Sequence, residues 1–166
     1  FVMRALWITA LVISMLVFAA PSRSEFIVMQ RDALRGLPPL FVVVERLEPA
    51  AVEAGLSEST IKQEVERRLR ASGVRVLDEG ERLPGAPFLY VRITAYEVPG
   101  TGVYSYSVAL ELRELVTLVR NPRASTYAST WESQGVAFST GIRDRAREYL
   151  AKKVDEFVDD WLAANP

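Results

Sequence analysis

The chain contains no cysteine and no histidine. Without cysteine there can be no disulfide, no thiol nucleophile and no thiolate ligand for zinc. Without histidine, the usual haem ligand and every triad that relies on an imidazole base are excluded as well. Charge of one sign is also scarce. Twenty basic side chains stand against 21 acidic ones for a net charge of minus one, and the segment before Glu25 holds Arg4 and Arg23 but no acid. The remainder is therefore slightly acidic, a poor match for nucleic acid unless its basic residues cluster. With 166 residues, 49% hydrophobic and 25% charged, the composition fits one globular domain with a sizeable core.

The one long apolar run is at the start. Met3-Arg4 is followed by Ala5 to Ala20, broken only by Thr9 and Ser14, and then by Pro21-Ser22-Arg23-Ser24. A basic lead, an apolar stretch and a small-residue exit make the pattern of a secretory signal peptide over residues 1–24, with cleavage expected after Ser24. As a helix the run would be roughly 24 Å long, short of the roughly 30 Å hydrocarbon core. An uncleaved anchor is the alternative, and membrane attachment would follow only in that case. The location expected is periplasmic or secreted. Residues 25–36 read as a mobile leader, ended by Gly36 and Pro38-Pro39, and residues 37–166 as a single domain.

Within that domain, Leu40 to Leu47 is a continuous Val-rich run of strand length. Ser57 is suited to cap a helix, with Glu58 in the positive first turn and Leu56 placed to staple onto Ile61. Ile61, Val65 and Leu69 recur every fourth residue, and Gly73 suits the left-handed residue after the helix. Val74 to Leu77 then reads as a short strand parallel to the first, completing a crossover. Asp78-Glu79-Gly80-Glu81 lacks the alternating oxygen ligands of a calcium loop and reads as a solvated turn. Phe88 to Glu97 alternates, with Leu89, Val91, Ile93 and Ala95 on the dry face. Pro99-Gly100-Thr101-Gly102 turns the chain, and no Gly-Lys-Ser/Thr follows to make a phosphate loop.

Tyr104 to Val119 is too long for one ordinary strand. Tyr104, Tyr106, Val108, Leu110 and Leu112 alternate with polar or small neighbours, but beyond Glu114 both parities turn apolar, which predicts a bulge near Arg113-Glu114. Asn121-Pro122-Arg123-Ala124 reads as the next turn, and Ser125 to Phe138 as the returning strand. A helix from about Ile142 to Ala163 closes the chain, with Ile142, Ala146, Leu150, Val154, Phe157 and Trp161 among the residues of a wide apolar face. The fold expected is an α+β two-layer sandwich of order β-α-β-β-β-β-α, a mixed four- or five-stranded sheet with two helices on one face.

The crossover from Leu40-Phe41-Val42-Val43-Val44-Glu45 through Ser57 and Gly73-Val74-Arg75-Val76, the long hairpin and the closing helix resemble a group of uncharacterised secreted bacterial proteins. In arrangement they also resemble small envelope α/β domains: the amino-terminal domain of TolB, the curli-secretion lipoprotein CsgG and the lipopolysaccharide-assembly lipoprotein LptE. The resemblance implies a sandwich fold and a role in the envelope. The chain departs from those lipoproteins in having no cysteine to acylate.

For catalysis, only carboxylates, Ser with Lys, Tyr or Arg would remain. None falls in a recognisable motif; Glu45, Glu48 and Glu97 with Tyr96 are the nearest approach to a carboxylate grouping. No enzyme activity, cofactor or metal is expected. The chain reads instead as an exported, non-catalytic interaction or assembly domain with an envelope protein as partner. The alternative is a binder of a small amphipathic or aromatic ligand, a lipid or glycan fragment, for which Tyr90, Tyr96, Tyr104, Tyr106, Tyr127 and Trp131 are the motive. The candidate surface comprises Tyr104, Tyr106, Tyr127 and Trp131. Arg143, Arg145 and Arg147 join it; they crowd the positive end of the last helix and read either as locally paired or as an anion- or partner-binding patch.

Overall fold

A computed structural model describes residues 23–166. The expected signal peptide falls outside the described residues except for Arg23 and Ser24, which open the first helix. Helix α1 (Arg23–Ala33) is followed by β1 (Phe41–Val44), a five-residue helix α2 (Pro49–Glu53), α3 (Glu58–Ala71), β2 (Phe88–Val98), β3 (Val103–Leu118), β4 (Asn121–Ser139) and α4 (Ile142–Ala164). The four strands form one sheet in the order β1-β2-β3-β4. The first pair is parallel and the other two antiparallel, so the fold is an α+β sandwich with a mixed sheet.

Helices α3 and α4 pack on one face of the sheet and on each other. Ser57 caps α3 by accepting the Thr60 N–H at 3.2 Å, and Ile61, Val65 and Leu69 are buried beneath the helix. Leu89, Val91, Ile93 and Ala95 of β2, with Val108, Leu110 and Leu112 of β3, supply the sheet side of the core. From α4 come Ile142, Ala146, Leu150, Val154, Phe157 and Val158. Burial of such side chains at about 1.5–3 kcal/mol each is the main driving force for this layer.

Several sequence expectations are corrected. The leader over 25–36 is instead helix α1 and the turn after it, docked against α4 and β4. Arg31 Nε donates to Asp160 Oδ1 at 2.9 Å, and Leu34 is fully buried. The Asn165 side chain bonds both the Gly36 N–H, at 2.8 Å, and the Leu34 carbonyl, at 3.0 Å. Phe26 to Met29 are four consecutive apolar residues with no helical spacing, so these tertiary contacts carry what the sequence pattern does not.

Val74 to Leu77 is not a strand but a single parallel bridge, Leu40 to Val76. The chain leaves the sheet at once because the Asp78 N–H is taken by Glu81 Oε2 at 2.7 Å. The parallel partner of β1 is therefore β2, with α2 and α3 in the crossover, and the sheet has four strands. The turn expected at Asn121 to Ala124 lies two residues earlier, at Val119-Arg120. Thr117 pairs with Ser125 and Leu118 with Asn121, which leaves Pro122, Arg123 and Ala124 as an unpaired bulge where the missing proline N–H costs nothing.

A register shift falls between Leu112 and Arg113, where a bulge is expected, but the extra residue is Thr130 on β4. Strand β3 itself keeps its alternation. Beyond Glu114 both its parities are apolar, with Leu115 exposed and Val116 and Leu118 half-buried.

Candidate interaction surface

The helices cover one side of the sheet only. Phe88, Tyr90, Arg92, Thr94 and Tyr96 of β2 point the other way, in register with Arg113, Glu111, Ala109, Ser107 and Ser105 of β3. Continuing across, Leu115 faces Tyr127, Glu111 faces Glu132, Ser107 faces Val136 and Ser105 faces Phe138 of β4. The middle of this open face is polar. Arg113 donates to Glu111 Oε2 at 2.8 and 3.0 Å, and Arg92 lies 3.4 Å from the other oxygen. Two apolar areas flank it. One is the pair Val136 and Phe138, 64% and 69% exposed.

The second area is a shelf of Phe41, Val43, Leu83, Phe88, Tyr90 and Tyr127 beside Arg113, enclosing a groove of about 470 Å³. The Phe88 ring stands 5.2 Å from that of Tyr127 and 6.4 Å from that of Tyr90. The Arg113 guanidinium lies 4.1 Å over the Tyr90 ring, an arrangement in which cation and ring quadrupole attract. Burial, and then a hydrogen bond to Glu45, push the Tyr90 hydroxyl above its ordinary value. Glu45 Oε2 is itself buried with no partner among the described residues.

Past this shelf the sheet narrows to two strands. The β2 ladder ends where Phe88 meets Arg113, so the rest of β3 and the start of β4 form a two-stranded arm, exposed at Leu115 and Thr117 and half-buried at Val116 and Leu118. Val119 at its tip is 97% exposed and Leu115 50%. Strand β4 runs for 19 residues, pairs only with β3, and has no strand on its outer edge among the described residues. Such an edge is a template for pairing unless charge or proline blocks it. Its sole proline, Pro122, sits in the bulge beside the tip, and its charged residues are Arg123 and Glu132 alone.

The proposed surface residues do not come together. Tyr106 and Trp131 are buried on the helix side, and Tyr104 is packed partly against the same core. Trp131 stacks edge-on to Phe157 at 5.0 Å and donates its indole N–H to Asp160 Oδ2 at 3.0 Å. Tyr127 alone of the four lies on the open face. The three arginines are each paired: Arg143 with Asp144, Arg145 with Glu148, and Arg147 with Glu64 of α3. The carboxylate grouping is also split, because Glu48 accepts from Tyr96 at 3.2 Å, Glu45 bonds Tyr90, and Glu97 belongs to the opposite parity of β2.

Phe88, Leu83, Arg113, Leu115, Val136 and Phe138 are the surface residues that the sequence reading passes over. The even-numbered face of β2 was a signal for Phe88, since its odd-numbered face is the core. Among the described residues no group of acids is placed to hold a metal, and no helix is long and apolar enough to cross a membrane. Compared with known proteins, the sequence matches no family model and no curated protein.

Proposed function

We propose that the chain is an exported, non-catalytic interaction or assembly domain of the bacterial cell envelope, whose protein partner meets the β3–β4 arm and its free edge. The observation that carries this reading is the arm: two strands that run on past the end of β2, with Leu115, Val119 and Tyr127 exposed, the outer a 19-residue edge strand that carries two charges. Strand addition to such an edge supplies main-chain hydrogen bonds for affinity, and the flanking apolar side chains supply selectivity. The export pattern of residues 1–24 and the likeness in arrangement to small envelope domains support the same location, periplasmic or secreted. The test is affinity capture from an envelope extract with the chain and with a Leu115→Lys/Tyr127→Lys variant. A saturable envelope protein held by the first and released by the second is expected. A partner retained equally by both, or none at all, would overturn it.

One observation favours a second reading, a binder of small amphipathic or aromatic ligands: the shelf at Phe88 and Tyr90 has the volume of a small-molecule site, with one cation beside it. Titration with a short-chain lipid and an aromatic glycoside, followed by NMR, distinguishes the readings. Saturable shifts confined to Phe88, Tyr90 and Arg113 would support the ligand.

A further inference from the structure

We propose that α1 is a membrane-interface helix: Phe26 to Met29 lie in the headgroup layer of a lipid bilayer, and the apolar run Ala5 to Ala20 stays on the chain as the anchor that puts them there. The inference goes beyond the arm and does not depend on it. Helix α1 is tied to the domain by its C-terminal half, through Arg31 on Asp160, the buried Leu34, and the Asn165 bonds to Leu34 and Gly36. Its N-terminal half is a different surface. Phe26, Ile27, Val28 and Met29 are 47%, 46%, 54% and 52% exposed, so the fold buries none of them.

These four residues follow one another directly. At about 100° of rotation per residue they are distributed around most of the helix circumference instead of along one stripe. A partner helix or groove covers a stripe, whereas a turn that is apolar all round calls for a medium that can reach it from several sides. The domain does not supply that medium. Beside Phe26 and Ile27 lies a groove of about 600 Å³ whose other wall carries Glu132, Glu156, Asp159 and Asp160, and carboxylates cannot take up apolar side chains without giving up their water.

What precedes the helix identifies the occupant as lipid. Only Pro21 and Ser22 separate Ala20 from Arg23, the first residue of α1, at most about 11 Å of chain. With residues 5–20 retained in a bilayer, the start of α1 is held within reach of the headgroup boundary, where the apolar face of an interfacial helix sits about 5–10 Å deep. Charges set the depth: Glu25 stands before the four apolar residues and Arg31 and Asp32 soon after them, which suits the interface and not the hydrocarbon core. The expected cut after Ser24 would fall inside the first turn of this helix and leave its apolar turn with no cover.

The chain has no cysteine, so single labels are available. The full chain carrying Val28→Cys or Met29→Cys, labelled with an environment-sensitive fluorophore, is reconstituted into phosphatidylcholine vesicles that contain a quencher borne on the lipid. Blue-shifted emission and quenching are expected at both positions. Neither is expected at Phe138→Cys, which is apolar and 69% exposed but belongs to the open face of the sheet. Mass spectrometry of the chain extracted from membranes should find Ala5 to Ala20 still attached. A chain that begins at Glu25, no quenching at positions 28 and 29 while circular dichroism shows a native fold, or equal quenching at 138 would overturn the proposal. Shielding of the label at position 28 that needs an envelope extract and not lipid would make the occupant a protein and overturn it too.

Discussion

Asp160 joins three elements with one carboxylate. Its Oδ2 accepts the indole N–H of Trp131 from β4, and its Oδ1 accepts Arg31 from α1, at 3.0 and 2.9 Å. The two contacts differ in kind. Trp131 is 2% exposed, so deleting its acceptor leaves a buried donor unsatisfied, at a cost of about 1–3 kcal/mol. The Arg31 side chain is 46% exposed, and an ion pair so close to water contributes about 0–1 kcal/mol. Asp160→Ala should therefore lose about 2–3 kcal/mol, most of it at Trp131. Asp160→Asn keeps an oxygen for the indole and should lose no more than about 1 kcal/mol, much like Arg31→Ala. Urea unfolding followed by circular dichroism would measure all three, and hydrogen exchange would show α1 amides released in both Asp160→Ala and Arg31→Ala. If Asp160→Asn were as damaging as Asp160→Ala, charge and not the acceptor would hold the junction, and the reasoning would be refuted.

Two further outcomes follow from packing and linkage. A Cβ on Gly135 would lie 3.0 and 3.1 Å from Cζ and Cε1 of Tyr149, and closer still to its hydroxyl; Gly135→Ala should cost about 1–3 kcal/mol in thermal or urea unfolding, and Tyr149→Phe in the same chain should recover part of it. Glu58 accepts the Leu47 N–H at 2.9 Å, and that backbone bond holds its carboxyl below the ordinary 4.5. The contribution is thus present above pH 4.5 and lost as pH falls from there through the lower folded value; Glu58→Gln should flatten the stability profile in that acid window by lowering the plateau above it, with little change at the acid end.

What was legible in the sequence was what repeats along it. Ile61, Val65 and Leu69 marked α3, the alternation of Leu89 to Ala95 marked the core face of β2, and the stripe from Ile142 to Trp161 marked α4. Ser57 declared a helix start by its chemistry. The bulge was legible only as a disturbance: the change of parity after Glu114 located it, but a single strand cannot say which of two partners carries the extra residue, and it is Thr130. Helix α1 was hidden because it is fixed by Asp160 and Asn165, more than 120 positions away. The aromatics show the same limit. Tyr106 and Tyr127 look alike in sequence, yet one is core and the other surface, since strand parity assigns faces only relative to neighbours and the bulge reverses it between Trp131 and Ser129.

The Asn165 side chain that bonds Leu34 and Gly36 also says when this domain can close. Translation delivers residue 34 first and residue 165 only 131 steps later. Until α4 has emerged, the sheet has an apolar side with only α3 to shelter it, and α1 has neither Asp160 nor Asn165 to hold it. The order of the chain thus makes α4 the element that closes the domain: α1 is held only once Asp160 and Asn165 are in place.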